Sequence, residues 1–198
     1  MYLSEYISPL GKIVMTSNGE TLYSLTICGK TECSEVAVTD YATYEKAPAP
    51  GFGLSANGLK TSAQDSESGD LPGQATAEMR IFAETRRWLD AYFSGNSLPV
   101  PMLDFAGLTA HQIRVYERLM LVGYGETTTY AKLSAATGSS PRAVGNALAR
   151  NRHLLVIPCH RCLKSDDTLG GFSGGNGVET KLALLSLEKE KSQKSPAL

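Results

Sequence analysis

Four consecutive residues, Pro158-Cys159-His160-Arg161, are the part of this chain best suited to covalent chemistry. A cysteine acts as a nucleophile through its thiolate, which a neighbouring proton acceptor and nearby positive charge both favour. His160 offers the first and Arg161 the second. Pro158 restricts the backbone and can hold the thiol in one pose. A buried, inert cysteine beside a surface histidine is the plainer alternative. Two others come from Cys162, which completes a Cys-x-x-Cys. That spacing suits a thioredoxin-like redox pair, although such pairs usually follow a first strand and this one lies late. It would also suit zinc if Cys28 and Cys33 joined in, which requires the N-terminal residues to touch this turn; a second glycine-containing knuckle is absent.

The 198 residues carry a net charge of −1 and a pI near 6.3, which alone argues against a nucleic-acid partner. The distribution argues otherwise. From Thr127 to Ser165 there is no acidic residue, whereas Lys132, Arg142, Arg150, Arg152, Arg161 and Lys164 all fall there. A local basic face is what contact with phosphates needs. No run approaches the roughly 18 apolar residues of a membrane helix, and the N-terminus lacks the pattern of a secretory signal. The expectation is a cytoplasmic protein (nuclear in a eukaryote) whose cysteines stay reduced.

The elements that must position Cys159 are an α+β set. A hairpin is expected from Lys12–Ser17 and Thr21–Ile27 around Asn18-Gly19. Residues 34–74 lose all pattern and read as a flexible insert. A helix over 77–94 gathers Ile81, Phe82, Trp88, Leu89, Tyr92 and Phe93 on one side. An N-terminal α/β domain (1–95), a linker (96–104), a C-terminal domain (105–191) and a tail (192–198) follow. In the C-terminal domain, Thr109 caps a helix from Ala110 to Val122. Thr128 or Thr129 opens a short helix ended by Gly138, and Ser140 with Pro141 starts another to Arg150. That pairing is a helix-turn-helix in a mostly helical, winged-helix-like unit. The apolar run Leu154–Ile157 leads to the cysteine, a glycine-rich loop surrounds Phe172-Ser173-Gly174, and a last helix spans Val178 to Lys189.

With these motifs in view, the chain resembles the O6-alkylguanine-DNA alkyltransferases, or methylated-DNA–protein-cysteine methyltransferases. Ile157-Pro158-Cys159-His160-Arg161 is similar to their active-site motif. Gly125-Glu126-Thr127 with Tyr130, Arg142-Ala143-Val144-Gly145-Asn146-Ala147, Asn151, and Ser173-Gly174-Gly175 resemble further family motifs in the same order. The resemblance implies a monomer that binds double-stranded DNA and moves the alkyl group of O6-alkylguanine to Cys159 once, without metal or cofactor; O4-alkylthymine is left open. It implies Tyr130 and Arg142 as the residues that extrude the nucleotide, with Ser140 and Lys132 on the same DNA-binding surface. Ser173, Phe172, Gly174 and Pro158 would form the base pocket, and Arg161 would be structural. His160 would relay the thiol proton, Glu188 would orient His160, and Asn151 would hold the turn. Relatives of this family that only bind damaged DNA carry tryptophan at the cysteine position.

Departures from the family set further expectations. Arg152 and Leu154 replace prolines, which predicts a looser turn. Phe172 stands for a tyrosine, His111 for a phenylalanine and Gly123 for a proline. Asn176-Gly177 looks inserted, so a rigid alignment from Gly175 puts Ser186 at the position of the orienting glutamate. Alignment on Lys181, Leu184 and Leu185 puts Glu188 there, and the charged residue is preferred.

Overall fold

A computed structural model of the chain describes residues 1–29 and 77–194. The insert expected over 34–74, and Cys33 with it, lies outside the described residues. The N-terminal sheet is antiparallel in the order β1 (Tyr2–Ser8), β2 (Gly11–Ser17), β3 (Leu22–Ile27). β2 and β3 are the expected hairpin. Its connection is not a two-residue turn, because Asn18 Oδ1 accepts from the Glu20 and Thr21 amides and a bulge falls between Thr16 and Ser17. β1 is an addition to the expected hairpin. It is an edge strand whose Leu3 and Ile7 face solvent, so it lacks the one-sided apolar alternation that marks a half-buried strand.

The free edge of β3 organises the rest. Leu22 exchanges backbone hydrogen bonds with Met102 and Asp104, so part of the expected linker is stitched to the sheet. Leu25 does the same with Arg152 and Leu154, just before the reactive turn. Helix α1 (Ala77–Ser94) packs Ile81, Trp88, Leu89, Tyr92 and Phe93 inward and stops at Gly95, whose φ is +81°. Cys28 is disulfide-bonded to a partner outside the described residues, which departs from the expectation of reduced thiols; Cys159 and Cys162 are free.

Helix α2 (Ala110–Met120) begins with a full capping box between Thr109 and Gln112. Helix α3 (Tyr130–Thr137) is capped by Thr129 and ended by Gly138 in the left-handed region. Helix α4 (Pro141–Ala149) is capped by Ser140 with Pro141 in its first turn. These are the expected boundaries within a residue or two, because caps are local signals. Helix α5 (Val178–Lys194) runs past the expected end at Lys189. It buries Leu184, but also Thr180, Lys181 and Glu188, while Leu182 is exposed. Buried residues from the sheet, from α1 and from the C-terminal helices form one hydrophobic cluster. No described helix is long and apolar enough to cross a membrane.

Candidate active site

Leu154–Ile157 forms buried turns rather than a strand, and Cys159–Arg161 is a single 3-10 turn entered from Pro158. Asn151 clasps the loop. Its Nδ2 donates to Ile157 O at 2.8 Å and its Oδ1 accepts from the His153 amide at 2.9 Å. The looser turn expected from the missing prolines is not observed. Arg152 Nη2 donates to the carbonyls of Asp104 and Ala106, and its guanidinium lies 4.3 Å from the centre of the Tyr23 ring. His153 Nε2 is 2.9 Å from Leu22 O and must be the donor there, since a carbonyl only accepts. Side chains replace proline rigidity as the means of fixing this loop.

His153 carries a pH signature. Burial pulls its pKa from 6.5 down to about 4, against the opposing effect of the Leu22 hydrogen bond. The unfolded chain therefore takes up this proton first as pH falls. Stability from the neutral side chain is complete above about pH 6.5 and is lost towards pH 4, at a cost of roughly 3 kcal/mol. The urea midpoint of the wild type is expected to decline across that window. His153→Gln keeps a donor for Leu22 O and should flatten the decline; an unchanged slope would assign it to another group.

Behind Cys159, His160 Nε2 lies 2.7 Å from Glu188 Oε1, with both side chains fully buried. Arg161 grips the same carboxylate with Nε and Nη2, both at 2.9 Å, and donates Nη1 to Val122 O. The Gly125 amide donates to Glu188 Oε2 at 3.1 Å, and Tyr92 Oη donates to Oε1 at 2.7 Å. Burial alone would raise the Glu188 pKa, yet the hydrogen bonds and charges of His160 and Arg161 hold it at about 2. The carboxylate therefore only accepts, so His160 Nε2 carries a hydrogen; burial, against the pull of Glu188, lowers the imidazole pKa and leaves the lone pair on Nδ1. Nδ1 is buried with no partner among the described residues. Burial pushes the Cys159 thiol up, while the Asn151 hydrogen bond and the Lys181 charge pull it down. Ser186, the rival for the orienting position, is exposed on α5.

Cys159 lines a cleft of about 320 Å³ with Tyr130, Gly145, Phe172 and Ser173. Tyr130 opens α3, directly after a two-residue parallel pairing of β4 (Thr128–Thr129) with β5 (Cys162–Leu163). That pairing ties the start of α3 to the chain leaving the cysteine. A Cβ on Gly170 would lie 2.8 Å from Tyr130 Oη, so only glycine leaves the ring its place. Two expected pocket residues are elsewhere. Pro158, which starts the 3-10 turn, lines a different cleft with Trp88 and Tyr92. Gly174 is buried beneath the loop, where a Cβ would meet Leu154 Cδ1 at 2.7 Å and Phe172 Cε1 at 2.8 Å; it is a spacer, not a wall.

The basic window divides into two groups. Lys132, Arg142, Arg150 and Lys164 are exposed, whereas Arg152 and Arg161 are turned inward on Asp104 and Glu188. Ser140 Oγ is the cap of α4, accepting from the Ala143 amide, and Arg142 projects from the first turn of the same helix. Among the described residues no group of three His, Cys, Asp or Glu side chains could hold a metal ion.

Comparison with known proteins agrees with this geometry. Residues 110–190 match the family model described as 6-O-methylguanine DNA methyltransferase, DNA binding domain. A methylated-DNA–protein-cysteine methyltransferase of Metallosphaera sedula is 30% identical over 188 residues, covering 92% of this chain and 90% of that protein. The chain belongs to the methylated-DNA–protein-cysteine methyltransferase family. A DNA base-flipping protein of Thermus thermophilus is also similar, 42% identical over 59% of this chain and 80% of that one. Among solved structures, OGT of Mycobacterium tuberculosis in complex with DNA superposes with a TM-score of 0.66 at 26% identity, covering 96% of this chain and 94% of that one.

Within this methyltransferase fold, three participants were not singled out from the sequence. Tyr92 shares the apolar face of α1, and periodicity is blind to a hydroxyl that crosses to another element. Lys181 stands in the sequence as one position of the Lys-x-x-Leu-Leu pattern. Its side chain is fully buried, and its Nζ donates to Cys162 O at 2.6 Å. Gly125 belongs to the Gly-Glu-Thr motif; its φ of +78° is what calls for glycine, and in that conformation its amide donates to Glu188.

Proposed function

We propose that this chain repairs DNA by transferring the alkyl group of O6-alkylguanine to Cys159 Sγ. The observation that carries this reading is Cys159 at the wall of a cleft, backed by the buried His160–Glu188–Arg161 chain. The free lone pair of His160 Nδ1 takes the thiol proton, through a bridging water where the two do not touch. Cys159 Sγ then forms a bond to the alkyl carbon as the carbon–O6 bond breaks. The electron pair leaves on guanine, which takes up one proton as His160 gives up the one it received, so that thiol and O6-alkylguanine become thioether and guanine. Ser173, on the cleft wall, is placed here as the donor to O6. The product is a thioether, which thiol exchange does not reverse, so each molecule acts once.

A stacked base cannot reach a cleft of this kind, so the nucleotide is extruded first. Tyr130 on the cleft wall and exposed Arg142 are assigned to that step, and Lys132 and Ser140 to the surrounding DNA surface. A cytoplasmic setting is proposed because Cys159 has to stay a free thiol to accept an alkyl group; the Cys28 disulfide is the observation that runs against it. A second reading, damage binding without transfer, is not favoured, since the relative matching over most of the chain is named a methyltransferase. Intact mass after incubation with an O6-methylguanine duplex separates them. Transfer adds one methyl group, on the peptide holding Cys159, and Cys159→Ala stays unmodified. Retention of DNA with an unmodified Cys159 would sink the first reading.

A further inference from the structure

We infer that Tyr92 is a positioning residue for the Cys159 relay, its hydroxyl holding Glu188 and limiting how strongly His160 takes a proton. The inference rests on the alkyl-transfer reading for its consequence and on hydrogen-bond geometry for its content.

A carboxylate offers about four lone-pair sites. Glu188 receives five donors: Tyr92 Oη, His160 Nε2 and Arg161 Nη2 on Oε1, and Arg161 Nε and the Gly125 amide on Oε2. Tyr92 and His160 compete for the same oxygen, and Tyr92 Oη lies 3.4 Å from His160 Nε2. Each donor withdraws negative charge from the oxygen that supports an imidazolium. The Tyr92 share is large because the contact is short, charge-assisted and buried.

The Tyr92 ring is held independently of its hydroxyl. It stacks on Trp88 at 5.5 Å between centroids and meets Phe93 and Tyr124 edge-on at 5.1 and 5.4 Å. Removing the oxygen leaves this packing, and Glu188 keeps four donors. The hydroxyl is therefore separable from the fold. It is also the contribution of the N-terminal half of the chain to the relay, since His160, Arg161, Gly125 and Glu188 all come from the C-terminal half.

Other groups face His160 as well. Glu188 and Lys181 approach from α5, Arg161 and Cys159 belong to its own turn, and Tyr124 packs on Tyr92 and on Arg161. None of them changes in Tyr92→Phe, so a change in His160 reports the hydroxyl.

The chain has three histidines, His111, His153 and His160, so histidine labelled at Cε1 gives three signals to titrate in the full-length protein. In Tyr92→Phe the His160 midpoint is expected to rise by about one pH unit, with His111 and His153 unmoved. The acid limb of the alkyl-transfer rate should rise with it, because protonated His160 cannot accept the thiol proton. Site-specific 3-fluorotyrosine at position 92, a stronger donor of the same shape, should move the midpoint down, and it decides the matter where Tyr92→Phe fails to fold. An unmoved His160 in either variant overturns the inference. A wild type that transfers no alkyl group overturns the proposed function instead, and the titration still decides the role of Tyr92.

Discussion

Glu188→Gln is expected to cost roughly 3–5 kcal/mol of stability, the usual range for removing one partner of a buried charge pair. The substitution keeps shape and volume, so the loss is electrostatic. Glutamine has one accepting oxygen and one amide that only donates. Whichever way it turns, the amide faces existing donors: Tyr92, His160 and Arg161 Nη2 on one side, Arg161 Nε and the Gly125 amide on the other. Arg161 is left buried without its counter-charge. The pH dependence gives an independent estimate of the same interaction. The Glu188 pKa drops from 4.5 to about 2 on folding, so its stabilisation is complete above pH 4.5 and is lost as pH falls towards 2. That difference corresponds to roughly 3 kcal/mol, within the mutational range. Alkyl transfer should slow by about 10²–10⁴, the span associated with a positioned general base, since His160 loses the carboxylate that fixes its tautomer. Urea midpoints and single-turnover rates check both effects. A glutamine variant as stable and as fast as wild type would mean that the carboxylate is packing only.

What the sequence made legible follows the range of the interactions concerned. The helix-turn-helix was readable because Thr129, Gly138, Ser140 and Pro141 set their helix ends through contacts a few residues long. The Leu154–Ile157 run was not, since the backbone of Leu25, distant in sequence, pairs with it and Asn151 clasps it only once it has turned back on itself. The basic window gave the right region but not the direction of each side chain. Arg152 and Arg161 turn inward because Asp104 and Glu188, distant in sequence, lie there. The choice between Ser186 and Glu188 hung on the inserted Asn176-Gly177. Gly175 and Gly177, with φ of +57° and +67°, close a tight turn before Val178 and absorb the insertion, so the helical register brings Glu188 to His160. Tyr92 marks the limit of pattern reading, because a residue can be core by its ring and functional by its hydroxyl.

Arg142→Ala should show the opposite profile, with almost no cost in stability and a large loss in repair of duplex DNA. Arg142 is exposed and makes no hydrogen bond or ion pair among the described residues. Its charge also sits in the first turn of α4, where the helix dipole disfavours a cation. Neither packing nor local electrostatics accounts for a guanidinium there, and alanine is the better helix former. Stability is therefore expected to stay within about 0.5 kcal/mol or to rise slightly. On a duplex, extruding the target nucleotide costs a few kcal/mol in lost stacking and pairing. A side chain that fills the gap offsets part of that cost. Losing about 2–3 kcal/mol of the offset slows transfer by roughly 10²-fold. The signature is a contrast between substrates. The rate on duplex O6-methylguanine should fall far more than the rate on the free alkylated base, which has no stack to leave. Equal losses on both would place the role of Arg142 in the chemistry or the cleft rather than in extrusion. A duplex rate unchanged from wild type would remove Arg142 from the mechanism.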